Sequence, residues 1–177
     1  VDWQTVGYED GVSGHSGDRI AQHRKACAKH GVTPDLDAYR AGREQGLLEY
    51  CTAENGFRLG ERGAQLPGFC PDERQMAFES AYRDGFHLYQ LRSSLSQAVN
   101  SLEAARREQH DIERQLVELS DLIVAKDTET AARAQALVDV KHLAERQGRL
   151  KGRIRQLEED RVLRQRDLDD YLFARSN

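Results

Sequence analysis

The sequence lacks several features that would point directly to a function. It has no run of about 18 apolar residues of the kind that crosses a membrane. Its 26 lysines and arginines face 30 aspartates and glutamates, so it also lacks the positive excess that binding to nucleic acid or to an anionic membrane surface needs. No catalytic or phosphate-binding signature stands out. We therefore expect a protein that is not an enzyme, that needs no cofactor and that binds no nucleic acid.

Apolar residues are also scarce for a single compact core, because they make up 38% of the chain against 32% charged residues. This balance predicts an elongated molecule. The chain begins at Val1 without a methionine. We expect a soluble, processed or trimmed polypeptide whose signal peptide or lipid anchor, if it has one, lies upstream of Val1.

Cysteine is absent from the last hundred or so residues, since Cys27, Cys51 and Cys70 all lie in the first part of the chain. Clustered cysteines in a small glycine-rich segment are typical of a domain held by disulfides in an oxidising compartment. Three is an odd number. One thiol is free, or its partner lies in a removed N-terminal stretch, or the cysteines bind metal.

Glycine is nearly absent after Gly85, where only Gly148 and Gly152 occur. This change divides the chain into a helical head, residues 1–85, and a second part, residues 86–177. We expect an all-α fold in which a small, glycine-rich, disulfide-containing head is followed by a long antiparallel coiled-coil hairpin.

The second part carries apolar or small residues at alternating steps of three and four, which is a heptad pattern. The pattern breaks near residues 125–132, where Asp127 and Thr128 are helix-cap candidates, and then resumes. In an antiparallel hairpin with its turn there, facing residue numbers add up to about 256. Val140 then faces Leu116, and Ile154 faces Leu102.

Two glutamines, Gln109 and Gln147, interrupt this stripe and fall opposite each other in the hairpin register. A buried amide is costly alone but can be satisfied by a second amide, so the pair is predicted to form a polar layer that fixes the register. The alternative is a parallel coiled coil of two chains. That arrangement leaves the break in the pattern unexplained.

The head repeats a motif in which an aromatic residue is followed by glycines inside a helix. Each interior glycine costs a helix about 1 kcal/mol relative to alanine, so close packing should offset the loss. We expect the glycine faces to pack on one another with aromatic side chains filling the grooves; alternatively, the grooves receive a partner. The predicted packing residues are Trp3, Gly7, Gly11, Tyr39, Gly42, Gly46, Phe57, Gly60, Tyr82 and Gly85.

Three groups of polar residues are candidates for a chemical or binding role. His23, Cys27 and His30 share one helical face at a spacing that can bind zinc or copper, but no fourth ligand is evident, and a disulfide cysteine between solvent-facing histidines explains them as well. Glu9 and Asp10 are expected on a solvated helix surface; the alternative, acid/base catalysis, would need a cleft that the sequence does not indicate. A basic run without an acidic residue is expected to be the solvent-exposed face of a coiled coil, or alternatively a contact for an acidic partner or for lipid headgroups. It consists of Arg146, Arg149, Lys151, Arg153 and Arg155.

The strings "DWQTVGYEDG", "HRKACAKHGVTPDLDAYRAGREQGLLEYCTAENGFRLGERG" and "GFCP" resemble a bacterial family called domain of unknown function 2799. Its members look like secreted proteins or lipoproteins of the Gram-negative envelope. The resemblance implies the periplasm, with an outer-membrane tether through a lipidated cysteine. It also implies a further cysteine just before the Asp-Trp pair, which this chain lacks, and it suggests a bridge between Cys51 and Cys70.

The expected function is that of a non-enzymatic periplasmic protein-interaction module whose partner is another envelope protein. One alternative is an immunity protein that binds and neutralises a secreted antibacterial toxin. A second is a metal-binding envelope protein. Contact with a membrane is expected only through a lipid anchor upstream of Val1.

Overall fold

The computed structural model describes residues 1–176, and every regular element within that range is an α-helix. The predicted all-α fold is thus confirmed. The helices are α1 Trp3–Val12, α2 Arg19–Ala28, α3 Leu36–Tyr50, α4 Ala53–Glu61, α5 Asp72–Val124 and α6 Thr130–Ser176. They form two compact units, Val1–Gln90 and Leu91–Asn177. Within the described range, no helix combines the length and the apolar character needed to cross a membrane.

Three of the short helices begin at a side-chain cap, which satisfies backbone N–H groups that the first turn leaves without partners. The carboxylate of Asp2 accepts from the backbone N–H groups of Gln4 and Thr5 at 3.0 and 3.2 Å. Asp35 caps α3 in the same way, and the hydroxyl of Thr52 caps α4. The polar residues at these positions therefore fix where the helices start.

The helices α1 and α3 pack in parallel with their glycine faces together. A Cβ atom on Gly42 would collide with the carbonyl oxygen of Gln4, and one on Gly46 would collide with that of Tyr8. On the facing helix, a Cβ on Gly11 would lie 2.9 Å from Cα of Gly46. The close neighbours are thus backbone atoms and not the aromatic rings we expected as fillers. Two faces without Cβ atoms let the backbones approach more closely than an intervening ring would allow.

A second pair, α4 with the start of α5, reproduces the first. Gly56 lies against the backbone of Phe78, and Gly60 lies against Gly85 and the backbone of Tyr82. Spacing is conserved between the pairs: Gly7, Gly11 and Gly14 correspond to Gly56, Gly60 and Gly63, while Tyr39, Gly46 and Tyr50 correspond to Phe78, Gly85 and Tyr89. The loose repeat visible in the sequence is therefore a duplicated helix pair.

Two corresponding glycines close these pairs in the same manner. Gly14 and Gly63 both have φ of 69°, a left-handed conformation that favours glycine. Each lies against one tyrosine ring, Tyr50 for the first and Tyr89 for the second. The aromatic rings therefore cover the ends of the glycine faces and leave the centres to the backbone.

Parallel neighbours need a segment that returns the chain to the starting end, and the two copies use different ones. In the first copy, α2 lies between α1 and α3 in sequence. In the second, a loop without a helix joins α4 to α5, and Cys70 at its end is bonded to Cys51 just before α4. The expected disulfide is thus present, with the two Cα atoms 5.8 Å apart. Both cysteines belong to a buried cluster with Leu47 and Phe78.

The hairpin is held by residues of the predicted stripe. Leu102, Ala105, Ile112, Leu150 and Ile154 form a buried cluster, with Leu116, Leu143 and Leu157 packed against it. Two ion pairs link the helices at the rim: Arg106 with Glu158 at 2.7 Å, and Arg146 with Glu108 at 2.6 Å. The stripes of α5 and α6 therefore pair within one chain, not as a parallel coiled coil of two chains.

The glutamine layer differs in detail from the expected amide pair. Gln109 and Gln147 are both half-buried, and Nε2 of Gln109 donates to Oε1 of Glu113 on its own helix at 3.1 Å. Because a half-buried amide lies within reach of carboxylates at the helix surface, it does not need the second amide as a partner.

The turn between α5 and α6 comprises residues 125–129. Thr128 closes the preceding helix instead of opening the next, since its hydroxyl donates to the carbonyl of Leu122 at 2.7 Å. Arg133, in the first turn of α6, donates to the carbonyl of Ala125 at 2.9 Å. Both side chains donate to carbonyl groups at or just after the end of α5, where intrahelical donors run out.

Candidate functional site

The two helix pairs of the head carry different side chains at two corresponding positions, and this difference marks the candidate site. Asp10 and Tyr39 of the first pair correspond to Leu59 and Phe78 of the second. The second copy shows that apolar side chains at these positions are compatible with the glycine-faced packing. The polar residues of the first copy are therefore not a requirement of the helix pair itself.

Asp10 is the centre of a polar cluster that joins three helices. Its Oδ2 accepts a hydrogen bond from the hydroxyl of Tyr39 on α3 at 2.7 Å and lies 2.8 Å from Nε2 of His23 on α2. Its Oδ1 lies 3.1 Å from Nε of Arg19, also on α2. This last contact is an ion pair without hydrogen-bond alignment. One carboxylate thus links α1 to both neighbours.

Our expectation that Asp10 lies on a solvated surface was wrong, because it is only 6% exposed. Burial alone would raise its pKa, but the hydrogen bonds from Tyr39 and His23 and the charge of Arg19 outweigh this effect and lower the pKa below its usual value. Burial, together with the hydrogen bond to Asp10, raises the pKa of the Tyr39 phenol. Asp10 is therefore held as a carboxylate and Tyr39 as a neutral donor.

The helix that this cluster holds, α2, contributes no buried residue of its own. Arg19 and His23 reach inward to Asp10. The loop before α2 is fixed separately, since the guanidinium group of Arg43 donates to the carbonyl of His15 at 2.9 and 3.1 Å. Polar contacts, more than apolar burial, therefore attach α2 to the head.

The outward side of α2 is basic. Arg24 and Lys25 on α2, and Lys29 and His30 directly after it, are exposed, and no acidic residue occurs between Arg19 and Pro34. This segment contrasts with the chain as a whole, whose formal net charge is −4. The polar cluster thus holds in place a helix whose exposed side is positively charged, on a protein whose net charge is negative.

The residues considered as metal ligands do not converge. His23 is committed to Asp10, Cys27 is a half-buried free thiol, and His30 is exposed. In residues 1–176, no three histidine, cysteine or acidic side chains lie close enough together to hold a metal ion. His23, Cys27 and His30 therefore do not form the shared ligand set that their spacing suggested.

The aromatic residues expected to pack have separate roles. Trp3 is buried and meets the ring of His23 edge to face, with the ring centroids 6.4 Å apart. Tyr82 stacks on Phe86 and donates its hydroxyl to the carbonyl of Ala64 at 2.6 Å. Phe57 presents its backbone to Gly85. Of these three residues, Trp3 touches the polar cluster, and Tyr39, the fourth aromatic residue expected to pack, belongs to the cluster itself.

Sequence reasoning missed the cluster, although a signal was present. Aligning the glycines of α1 with those of α4 places Asp10 at the position of Leu59, and a carboxylate aligned with a core leucine indicates a buried charge. The partners could not have been found in this way, because α2 has no counterpart in the second copy.

The comparisons with known proteins bear on the part of the chain that contains this site. Residues 2–87 match the family model described as Protein of unknown function (DUF2799). The head resembles this family. The match includes both helix pairs and α2, and it ends inside α5. No curated protein and no solved structure matches the chain.

Proposed function

We propose that this protein is a non-enzymatic interaction module of the bacterial envelope, and that it uses the basic side of α2 to bind an acidic surface on another protein. The observation that carries the proposal is the attachment of α2. α2 has no fully buried residue of its own, yet a buried carboxylate that the second helix pair lacks fixes it in place. We infer that α2 is held there for the side chains that it displays.

The charge of α2 supports a protein partner with an acidic surface. Exposed basic side chains on a rigid helix speed the encounter with an acidic partner and select against basic ones. A helix that inserts into a membrane surface needs large apolar side chains at its exposed positions, and α2 has none there. Contacts between charged groups at the rim of a protein interface fit this surface better.

We propose that the protein is located in the periplasm. The disulfide between Cys51 and Cys70 supports this location, because disulfides persist in oxidising compartments. We also propose a tether to the outer membrane through a lipid upstream of Val1. Fluorescence of a tagged full-length protein in fractionated cells tests this placement. Recovery in the cytosolic fraction, with Cys51 and Cys70 reduced, would contradict it.

The test of the binding surface is a charge reversal on α2. The wild type should capture an envelope protein, and cross-linking with mass spectrometry should locate the contact in an acidic segment of that protein. The variant Arg24→Glu, Lys25→Glu, Lys29→Glu should no longer capture it. A control with the same change in charge is Arg74→Glu, Arg92→Glu, Lys126→Glu, whose side chains are also exposed. Equal capture by the two variants would refute α2 as the binding surface.

Affinity for the captured protein should also fall as salt is raised, because contacts between exposed charges are screened. Titration calorimetry at two ionic strengths measures this dependence. An affinity that does not change with salt would contradict an interface built on α2.

A toxin delivered into the periplasm is a narrower choice of partner, in which case the protein is an immunity protein. Co-expression with the product of the neighbouring gene, directed to the periplasm, tests it. Protection of the cells and a complex on gel filtration would support this version. Unaltered toxicity without a complex would exclude it for that gene pair.

A further inference from the structure

The outward face of α6, within the hairpin, contains two glycines that the fold does not explain. In the head, a Cβ atom on Gly42 or Gly46 would collide with the backbone of the facing helix. On α6, Gly148 and Gly152 have the same spacing of four residues, but a Cβ on either of them would meet nothing within 4 Å. Glycine destabilises a helix relative to alanine, and here no contact in the described part of the chain compensates.

Exposed apolar side chains flank these glycines symmetrically. Leu137 and Val138 precede them, with 56% and 47% of their surfaces exposed. Val162 and Leu163 follow them, with 56% and 48% exposed. The two leucines are equally far from Leu150 on either side, and so are the two valines and the two glycines. The order of apolar residues and glycines along this face is therefore the same in both directions.

The charges on this face are also arranged symmetrically about Leu150, with opposite signs at equal distances before and after it. Lys141 is as far before Leu150 as Glu159 is after it, and Glu145 is as far before as Arg155 is after. All four side chains are exposed. When a second α6 runs antiparallel with Leu150 at the same level, Lys141 meets Glu159, and Glu145 comes level with Arg155.

We propose that a second copy of this chain docks on the outward face of α6, antiparallel and related by a two-fold axis that crosses this face at the level of Leu150. A two-fold interface brings one patch against its own copy, so the patch must be complementary to itself, as this face is in both charge and apolar residues. Gly148 of one copy lies level with Gly152 of the other. The two backbones approach there as closely as they do between α1 and α3.

The face is long enough for a specific contact. From Leu137 to Leu163 it extends about 39 Å at about 1.5 Å per residue. The apolar pairs lie at the two ends, the ion pairs lie inside them, and the glycines are at the centre. A membrane surface would require one sign of charge and a continuous apolar stripe, which this alternation does not provide.

The first measurement is sedimentation velocity of the full chain from about 1 µM to about 1 mM, after the Cys27 thiol has been blocked with iodoacetamide. Blocking excludes dimers made by oxidation of that free thiol. We expect a reversible monomer–dimer equilibrium in this range. A single species with the mass of a monomer at every concentration would overturn the proposal.

The second measurement uses the glycines. In the double variant Gly148→Gln, Gly152→Gln, the added side chains meet nothing within the monomer, so its melting temperature should not fall, whereas its dimer dissociation constant should rise at least about tenfold. The control is Gly68→Gln, because a Cβ on Gly68 also meets nothing within 4 Å. A double variant that dimerises like the wild type would show that this face is not the interface.

The third measurement tests the direction of pairing. Lys141→Glu alone and Glu159→Lys alone should each weaken the dimer, and the double variant should regain most of the lost affinity, because each charge again meets its opposite. A parallel arrangement would bring Lys141 against Lys141 of the second copy. The absence of recovery in the double variant would therefore overturn the antiparallel register.

Discussion

At the scale of single residues, the two helix pairs of the head are distinguished by the side chains at two corresponding positions. Leu59 and Phe78 stabilise the second helix pair by burying apolar surface. Asp10 and Tyr39 occupy the same places in the first, where their polar atoms are satisfied by each other and by α2. Buried polar atoms contribute little stability on balance, but removing one partner is costly.

The change Asp10→Leu should therefore destabilise the head by about 1–3 kcal/mol, because it leaves the Tyr39 hydroxyl buried without an acceptor. Adding Tyr39→Phe should recover most of this loss, since the first pair then carries the apolar residues of the second. In the double variant, α2 should still be released. Faster amide hydrogen exchange confined to residues 19–28 is the expected observation.

The matched control is Glu9→Leu, which changes an exposed carboxylate beside Asp10. It should leave hydrogen exchange in α2 unchanged. Continued protection of α2 in the Asp10→Leu, Tyr39→Phe variant would show that α2 is held by contacts other than the buried carboxylate.

At the scale of helices, glycines with the same spacing have opposite consequences in the two units. Gly46 lies against the backbones of Tyr8 and Gly11, whereas Gly152 faces open space. A side chain added at the first position must push two helices apart. At the second position it replaces a poor helix former with a better one.

We predict that Gly46→Leu unfolds the head, with a loss of roughly 3 kcal/mol or more, because the colliding atoms belong to rigid backbone. The hairpin should remain helical. Gly152→Leu should not lower the stability of either unit. Circular dichroism with calorimetry distinguishes these results, and a Gly46→Leu protein that melts like the wild type would mean that the faces of α1 and α3 are not in close contact.

The sequence predicts these helices to different degrees. The heptad stripe identifies the hairpin because Leu102 and Ile154 recur at helical spacing over many turns, so a local error barely affects the pattern. The glycine faces are also visible in the sequence, but their exact neighbours depend on which helices run parallel. The site around Asp10 is hidden because α2 provides two of its three polar contacts, and a carboxylate on a short helix usually faces water.

At the scale of the whole molecule, the buried cluster makes the stability of the head depend on pH at both ends of the scale. The pKa of Asp10 is lowered from an ordinary value of 3.8, so its contribution is present above about pH 4 and is lost as the pH falls through the lowered pKa. The pKa of Tyr39 is raised from 10.0, so its contribution is present below about pH 10 and is lost as the pH rises beyond that value.

Urea unfolding between about pH 2 and pH 7 should therefore show the head losing stability in acid, and Asp10→Asn should flatten that decrease. The control is Asp37→Asn, because the Asp37 side chain is 97% exposed. An equal effect of the two substitutions would show that the buried carboxylate does not govern the acid limb.

The duplicated helix pair has a further consequence, which concerns the route by which the chain folds. Four helices with interchangeable glycine faces can join in wrong combinations, such as α1 with the start of α5, at little cost in local contacts. The bond between Cys51 and Cys70 ties together the starts of the two helices that belong to one pair. Oxidation before the helices dock would therefore guide the head past mispaired intermediates, and a reduced chain would be expected to fold more slowly and through more of them.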